Sequence, residues 1–222
     1  MITHDDIAAA KLQGNANNDW VLTHRLIENC PNLDGKPAPS YEDVKETFES
    51  LYQGHLYKSE RLLVNRDIFE NLKAKGYRVT AFGVYNSLNP NVRIHLGIVT
   101  GRPRKDAFRF LDEHHLTSFF ESIVCMEDTP RLKPAPDPIL LCLKQVNDTA
   151  FHCSKSYFTF DKMGVTEAAM IGDTVDDVRA SVAAGVIAFG VVAPGSNNPG
   201  SHERNERKKR IISKKWRKLE KS

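Results

Sequence analysis

Three groups of polar residues in this sequence could together handle a phosphate group. Each follows a short apolar segment, and in chain order the groups are Thr100 with Gly101, then Lys133, then Asp173 with Asp177. A threonine hydroxyl and the backbone N–H groups at the start of a helix can hold phosphate oxygens. A lysine can neutralise charge on a transferring phosphoryl group, and carboxylates suit Mg²⁺, which prefers oxygen ligands. The residue types therefore indicate phosphoryl chemistry.

Each group also has a purely structural interpretation. A Thr-Gly pair commonly ends a strand, and a lysine in a proline-rich turn, such as Lys133, is commonly exposed to solvent. Asp173 could cap the helix that begins near Thr174, and Asp176 and Asp177 could stabilise its N-terminal end through the helix dipole. The order of the three groups, each at the end of a predicted strand, favours a shared site over three unrelated features.

The segments around these residues alternate between strand and helix patterns. The predicted strands are Ile94–Thr100, Ser122–Met126, Ala168–Ile171 and Val186–Val192, and the predicted helices between them are Arg104–His115, Asp137–Gln145 and Val175–Ala184. This alternation indicates an α/β fold with a parallel sheet and right-handed crossovers. Ligands bind outside the carboxyl ends of such strands, where the three polar groups fall.

The first 75 residues have helical patterns only. A Thr3–Asp6 capping box predicts a helix through Lys11, and further helices are predicted over Asp19–Asn29, from Ser40 onwards, and over Asp67–Lys75. Two stretches fit the pattern poorly: an irregular insertion over residues 79–95 and a polar connection over residues 147–162. Long irregular loops are unusual inside a compact domain.

Composition excludes several classes of protein. The chain has 222 residues, 41% hydrophobic and 27% charged, which is ordinary globular usage and not that of a collagen, a coiled coil or a disordered chain. No apolar run reaches the ~18 residues of a membrane span, and no signal peptide is visible. The spacings of the four cysteines match no zinc or CxxC pattern. We therefore expect reduced thiols in an intracellular, most simply cytoplasmic, protein, with Cys125 and Cys142 filling the core.

The charge of +3 is unevenly distributed. Residues 196–222 carry ten Lys or Arg and three Glu, a net +7, so the rest of the chain carries −4. This basic tail could bind nucleic acid or act as a nuclear signal, which would make nuclear localisation the alternative. It could equally be a disordered, solubilising end.

Taken together, the motifs resemble those of the haloacid dehalogenase (HAD) superfamily. The segments LGIVTGRPR, VCMEDTPRLKPAPDP and IGDTVDDVRASVAAG resemble motifs II, III and IV of its phosphatase-like subfamily I, whose members carry a helical cap. The resemblance covers about residues 1–195. It implies a helical cap over 1–75, a Rossmann-like α/β core over 76–195 and a disordered basic tail over 196–222.

The resemblance also assigns roles to residues. Thr100, with Gly101, would bind phosphate, and Lys133 would stabilise the nucleophile and the phosphoryl group. Asp173 would bind Mg²⁺, and Asp177 would support the ion through water. The neighbouring Asp176 is expected to lie on the helix surface.

One motif of the family is not found in this sequence. Members begin with an apolar strand that ends in Asp-x-Asp-Gly, in which the first aspartate is the nucleophile and the second the general acid and base. The nearest match, Asp34-Gly35, follows Pro31-Asn32-Leu33, which is not a buried strand. We therefore expect the chain to begin inside the cap, without the nucleophile or the first core strand, and to expose strand edges.

Two explanations stay open. In the first, a longer product carries the missing strand, and residues 79–95 are an unspliced or misjoined segment. In the second, the chain is a relic without turnover.

The expected function is accordingly a Mg²⁺-dependent hydrolase of small phosphate esters, working through an aspartyl-phosphate. The alternative is a non-catalytic HAD-like protein, or a nucleic-acid-binding protein that uses residues 203–222. Similar proteins of this cap subfamily are linked to histidine biosynthesis, which hints at a substrate. No membrane partner is expected, and the sequence leaves the oligomeric state open.

Overall fold

The structure is a computed structural model that describes residues 2–30, 37–74, 95–153 and 168–191. The predicted insertion, apart from His95, and the basic tail lie outside these residues. The predicted division into cap, core and tail stays a prediction. Contacts between residues group Met1–Gly190 into one compact unit.

Four helices come first, as predicted. They are α1 (His4–Gln13), α2 (Asp19–Glu28), α3 (Tyr41–Gly54) and α4 (Asp67–Ala74). Local sequence sets their starts: Thr3 and Ser40 each form a capping box with the aspartate three residues later, and the Asn18 side chain accepts hydrogen bonds from the first turn of α2. The caps explain why these boundaries could be predicted closely.

The second part alternates strand and helix, which confirms the predicted α/β fold. It consists of β1 (Gly97–Val99), α5 (Arg104–Glu113), β2 (Ser122–Val124), α6 (Asp137–Cys153), β3 (Ala169–Gly172), α7 (Val175–Ala183) and β4 (Ile187–Gly190). β1 pairs in parallel with β2, with Ile98 opposite Ile123, and β3 pairs in parallel with β4, with Met170 opposite Ala188. All four strands are shorter than predicted or shifted by a residue.

Helix α6 is longer than expected. The polar connection predicted over residues 147–162 was wrong at its start, because the helix continues to Cys153. The reason is packing: Ile139, Cys142 and Val146 recur at helical spacing, and all three are buried in the core. The buried Val146 extends the apolar face beyond Gln145, where the helix was predicted to end.

One cluster of buried side chains joins both strand pairs to α6 and α7. It includes Val124, Cys142, Met170 and Ala180. Cys125 and Cys142 are 1% and 0% exposed, and both are free thiols, which confirms that they fill the core. None of the described helices is both long enough and apolar enough to cross a membrane.

Candidate functional site

Lys133 and Asp177 meet at the carboxyl ends of two strands. Lys133 lies between β2 and α6, and its Nζ donates to Asp177 Oδ1 at 2.6 Å and to the main-chain oxygen of Val99, the last residue of β1, at 3.2 Å. The two side chains of the ion pair are only 8% and 6% exposed. Two of the residues predicted for the site are thus brought together in a largely buried contact.

Asp177 is fixed by the first turn of α7. Its Oδ2 accepts from the Thr174 N–H at 3.0 Å and from the Thr174 hydroxyl at 2.7 Å, and the Asp177 N–H donates to Thr174 Oγ1 at 3.1 Å. The residue that caps α7 is therefore Thr174 and not Asp173, which was the structural alternative in the sequence. An added Cβ at Gly172 would overlap the Asp177 side chain, so the close approach needs glycine there.

The ionised form of Asp177 is favoured. Burial alone would raise the pKa of this carboxyl, but the Lys133 charge and the hydrogen bonds from Lys133 and Thr174 outweigh it, so the pKa lies below its ordinary value. Since both oxygens are engaged, Asp177 acts first as a fixed counter-ion for Lys133.

The expectation that Asp176 lies on the helix surface was wrong. Its side chain is fully buried, and its Oδ2 accepts from the Ala16 N–H and from Asn17 Nδ2, each at 2.9 Å. The partners come from the loop between α1 and α2, about 160 positions earlier in the chain, so no local pattern in α7 could reveal them. Asn17 itself was also missed by the sequence analysis, and no motif marked it.

Thr100 and Gly101 continue from the end of β1. The Thr100 N–H donates to the Val124 oxygen at 2.9 Å, and its Oγ1 accepts from the Arg102 N–H at 3.1 Å. An added Cβ at Gly101 would overlap the main-chain oxygen of Asn17, so this glycine lies directly against the loop between α1 and α2. The short Thr100 turn places a hydroxyl beside the strand end that also receives the Lys133 ammonium.

The start of α5 already holds a carboxylate. The Arg104 N–H donates to both carboxylate oxygens of Glu127 at 3.0 Å, and the Arg104 guanidinium pairs with Asp128. An acidic group at a helix N-terminus satisfies its unpaired N–H groups and favours its dipole. This N–H is therefore engaged by the protein itself, and any phosphate contact at this turn would fall to residues nearer Thr100.

Asp173 follows directly after β3 and is exposed. Among the described residues, no three His, Cys, Asp or Glu side chains lie close enough together to hold a metal ion. Mg²⁺ at phosphate sites commonly takes one or two carboxylates and completes its shell with water and phosphate oxygens. The exposed Asp173 carboxylate fits one such ligand position, whereas Asp177 is already engaged by Lys133 and Thr174.

Comparison with known families gives an independent result. Residues 43–191 match the family described as haloacid dehalogenase-like hydrolase. A protein named imidazoleglycerol-phosphate dehydratase from Phytophthora nicotianae is 39% identical over 193 residues, which are 85% of this chain and 35% of that protein. The phosphoglycolate phosphatase of Nitrosococcus oceani is 27% identical over 165 residues, 72% of this chain and 59% of that protein. The chain thus spans about a third and three fifths of these two relatives.

Solved structures agree on the fold. CbbY from Rhodobacter sphaeroides, solved with phosphate, superposes with a TM-score of 0.56 at 15% identity, over 86% of this chain and 71% of that one. A HAD hydrolase of family IA, variant 3, from Entamoeba histolytica superposes with a TM-score of 0.53 at 20% identity, over 88% of this chain and 71% of that one. At these identities the likeness concerns the fold alone.

Proposed function

Because this chain belongs to the haloacid dehalogenase-like hydrolase family, we propose that it supplies the phosphate-handling part of a phosphatase that acts on small phosphate esters. The observation that carries the proposal is the position of the Lys133 ammonium, between Asp177 and the carbonyl end of β1. The carboxyl ends of parallel strands are where α/β proteins bind ligands. The family match and the buried lysine support the same chemistry independently.

Each residue has a definite task in this proposal. The Thr100 hydroxyl and the Gly101 N–H bind phosphate oxygens, and the Lys133 ammonium offsets the negative charge that grows on the phosphoryl group during transfer. Asp177 holds Lys133 in place through their ion pair. Because the lysine is largely buried, its charge acts through a medium that screens less than water does.

Asp173 is the residue that we propose as a ligand of Mg²⁺, with Asp177 supporting the ion through water. A bound Mg²⁺ would neutralise phosphate charge and help to orient the ester. The exposed carboxylate of Asp173 supports this role.

The carboxylate that would attack the phosphorus atom is not found in this sequence. No two aspartates in this sequence are separated by a single residue, so no Asp-x-Asp-Gly segment is present to form an aspartyl-phosphate. We therefore propose phosphate binding for this chain, and hydrolysis through an aspartyl-phosphate for a product that also carries the nucleophile.

The proposed substrate class is a small phosphate monoester. The Nitrosococcus relative is named a phosphoglycolate phosphatase, which supports this class. The dehydratase name of the Phytophthora relative is not carried over, because the match covers only 35% of that protein. Free thiols at Cys30, Cys125 and Cys142 support a reducing, intracellular compartment.

The test is hydrolysis of p-nitrophenyl phosphate, in the presence of Mg²⁺, by a product that carries both this chain and the nucleophile. We expect Lys133→Ala to lower kcat by about 10²–10³-fold, the usual cost of one group that stabilises transition-state charge. The matched control is Lys144→Ala, since Lys144 is an exposed lysine on α6, and it should leave the rate unchanged. An unchanged rate in Lys133→Ala would overturn the proposed function.

A further inference from the structure

The side chain of Asn17 joins two segments of the candidate site. Its Nδ2 donates to the main-chain oxygen of Lys133 at 3.0 Å and to Asp176 Oδ2 at 2.9 Å. Both partners are pure acceptors, so the amide nitrogen must face them, and its two hydrogens are both used. The Asn17 amide is therefore a bridge between the backbone of the lysine and a carboxylate of α7.

Asp176 is a buried anchor for this bridge. The residue is 0% exposed, and the same Oδ2 also accepts from the Ala16 N–H at 2.9 Å. Its Oδ1 has no hydrogen-bond partner among the described residues and lies 3.8 Å from Arg179 Nη1. Burying a carboxylate is costly unless it is paired and hydrogen-bonded. The contacts that it does make concentrate on the α1–α2 loop, here defined as residues 14–18.

The backbone of Asn17 makes a third contact. Its main-chain oxygen lies against Gly101, where an added Cβ would overlap it. One residue of the α1–α2 loop thus contacts the segment after β1, the segment after β2 and the first turn of α7. These are the three segments that carry Thr100, Lys133 and Asp177.

We propose that Asn17 is a positioning residue of the phosphate site, which holds Lys133 through the main-chain oxygen of that residue, with Asp176 as its anchor. This inference rests on the proposed function. A lysine side chain has four flexible methylenes, so its ammonium is well placed only when both the backbone and the tip are held. Asp177 and Val99 hold the tip, and Asn17 holds the backbone.

The consequence is a coupling between the loop and phosphate binding. Without the Asn17 amide, the Lys133 carbonyl and the Asp176 carboxylate both lose a donor in a partly buried place. A hydrogen bond to a buried charged group changes an equilibrium by roughly 10–100-fold. Small displacements of a positioned group have effects of similar size on binding and rate.

The test is titration of the protein with inorganic phosphate by isothermal calorimetry. We expect Asn17→Ala to raise the Kd for phosphate by about tenfold or more. The matched control is Asn18→Ala, which removes the cap of α2 from the same loop but no contact with Lys133. This control should lower the melting temperature and leave the Kd near that of the unaltered protein. Where Asn17→Ala fails to fold, Asn17→Ser, whose side chain is too short to bridge both acceptors, replaces it.

A second arm separates positioning from general damage. In a protein that already carries Lys133→Ala, adding Asn17→Ala should not raise the Kd for phosphate further, because Asn17 acts through the lysine. Equal Kd values for Asn17→Ala and Asn18→Ala would overturn this inference and leave the proposed function intact, provided that Lys133→Ala still weakens binding. If Lys133→Ala binds phosphate as tightly as the unaltered protein does, both the inference and the proposed function fail.

Discussion

The Lys133 ammonium lies 2.6 Å from Asp177 Oδ1, in a contact where neither side chain is more than 8% exposed. Lys133 is 44 positions before Asp177 in the chain, so the contact joins the segment after β2 to the first turn of α7. A buried pair of this kind is strongly interdependent, since either charge left alone would be buried without compensation.

The first prediction concerns stability. Lys133→Met should lower the free energy of unfolding by about 3–5 kcal/mol at neutral pH, because it leaves the Asp177 charge buried without its cation. Lys133→Met combined with Asp177→Asn should lose less than the sum of the two single changes. Urea denaturation followed by circular dichroism measures all four proteins, and strictly additive losses would contradict the interdependence.

The second prediction concerns the stability of the protein at acidic pH. The pKa of Asp177 is lowered in the folded protein, so between the folded and unfolded pKa values the unfolded state binds more protons, and stability rises with pH there. This contribution is fully present above the ordinary Asp pKa of 3.8 and is lost as the pH falls through the folded value. Unfolding free energies between pH 6 and pH 2.5 should therefore fall less steeply in Asp177→Asn. A slope that matches the unaltered protein would contradict the account.

The third prediction uses two glycines. Gly101→Ala should lower stability by about 1–3 kcal/mol, because the new methyl group would meet the main-chain oxygen of Asn17, which has little room to move. Gly54→Ala is the matched control, since an added Cβ at the end of α3 has nothing within 4 Å. Thermal unfolding compares the two variants, and equal losses of stability would contradict the close contact between Gly101 and Asn17.

The fourth prediction concerns thiol reactivity. Burial raises the pKa of Cys125 to about 11, with Arg104 offsetting only part of the effect, and burial likewise raises the pKa of Cys142 to about 11. The thiolate is the reactive form, so both should be alkylated slowly at pH 8. Cys30 is only partly buried and should react first among these three. Iodoacetamide labelling with peptide mapping checks this order, and early labelling of Cys125 or Cys142 would contradict the packing.

Some of the site could be predicted from sequence because strand ends are local signals. Thr100 and Lys133 follow β1 and β2, whose parallel pairing places their carboxyl ends at one edge. Asp177 follows β3 and meets this edge through its contact with Lys133. Capping boxes are local too, which is why the starts of α1 and α3 were predicted correctly.

The rest depends on contacts between distant segments. Asp176 was wrongly predicted to lie on the helix surface, because its partners, Ala16 and Asn17, are about 160 positions away in the chain. The end of α6 was missed for a related reason, since Val146 shows its role only when packed against the core. Patterns within one element show neither kind of contact.

The most direct test of the proposed phosphate site is a crystal structure of the protein with bound orthovanadate, a phosphate mimic. We expect the anion within hydrogen-bond distance of Lys133 Nζ and Thr100 Oγ1, at the carboxyl end of β1, with the contact between Lys133 and Asp177 retained. Vanadate bound elsewhere on the protein, with Lys133 still paired to Asp177 and no anion beside it, would contradict the claim.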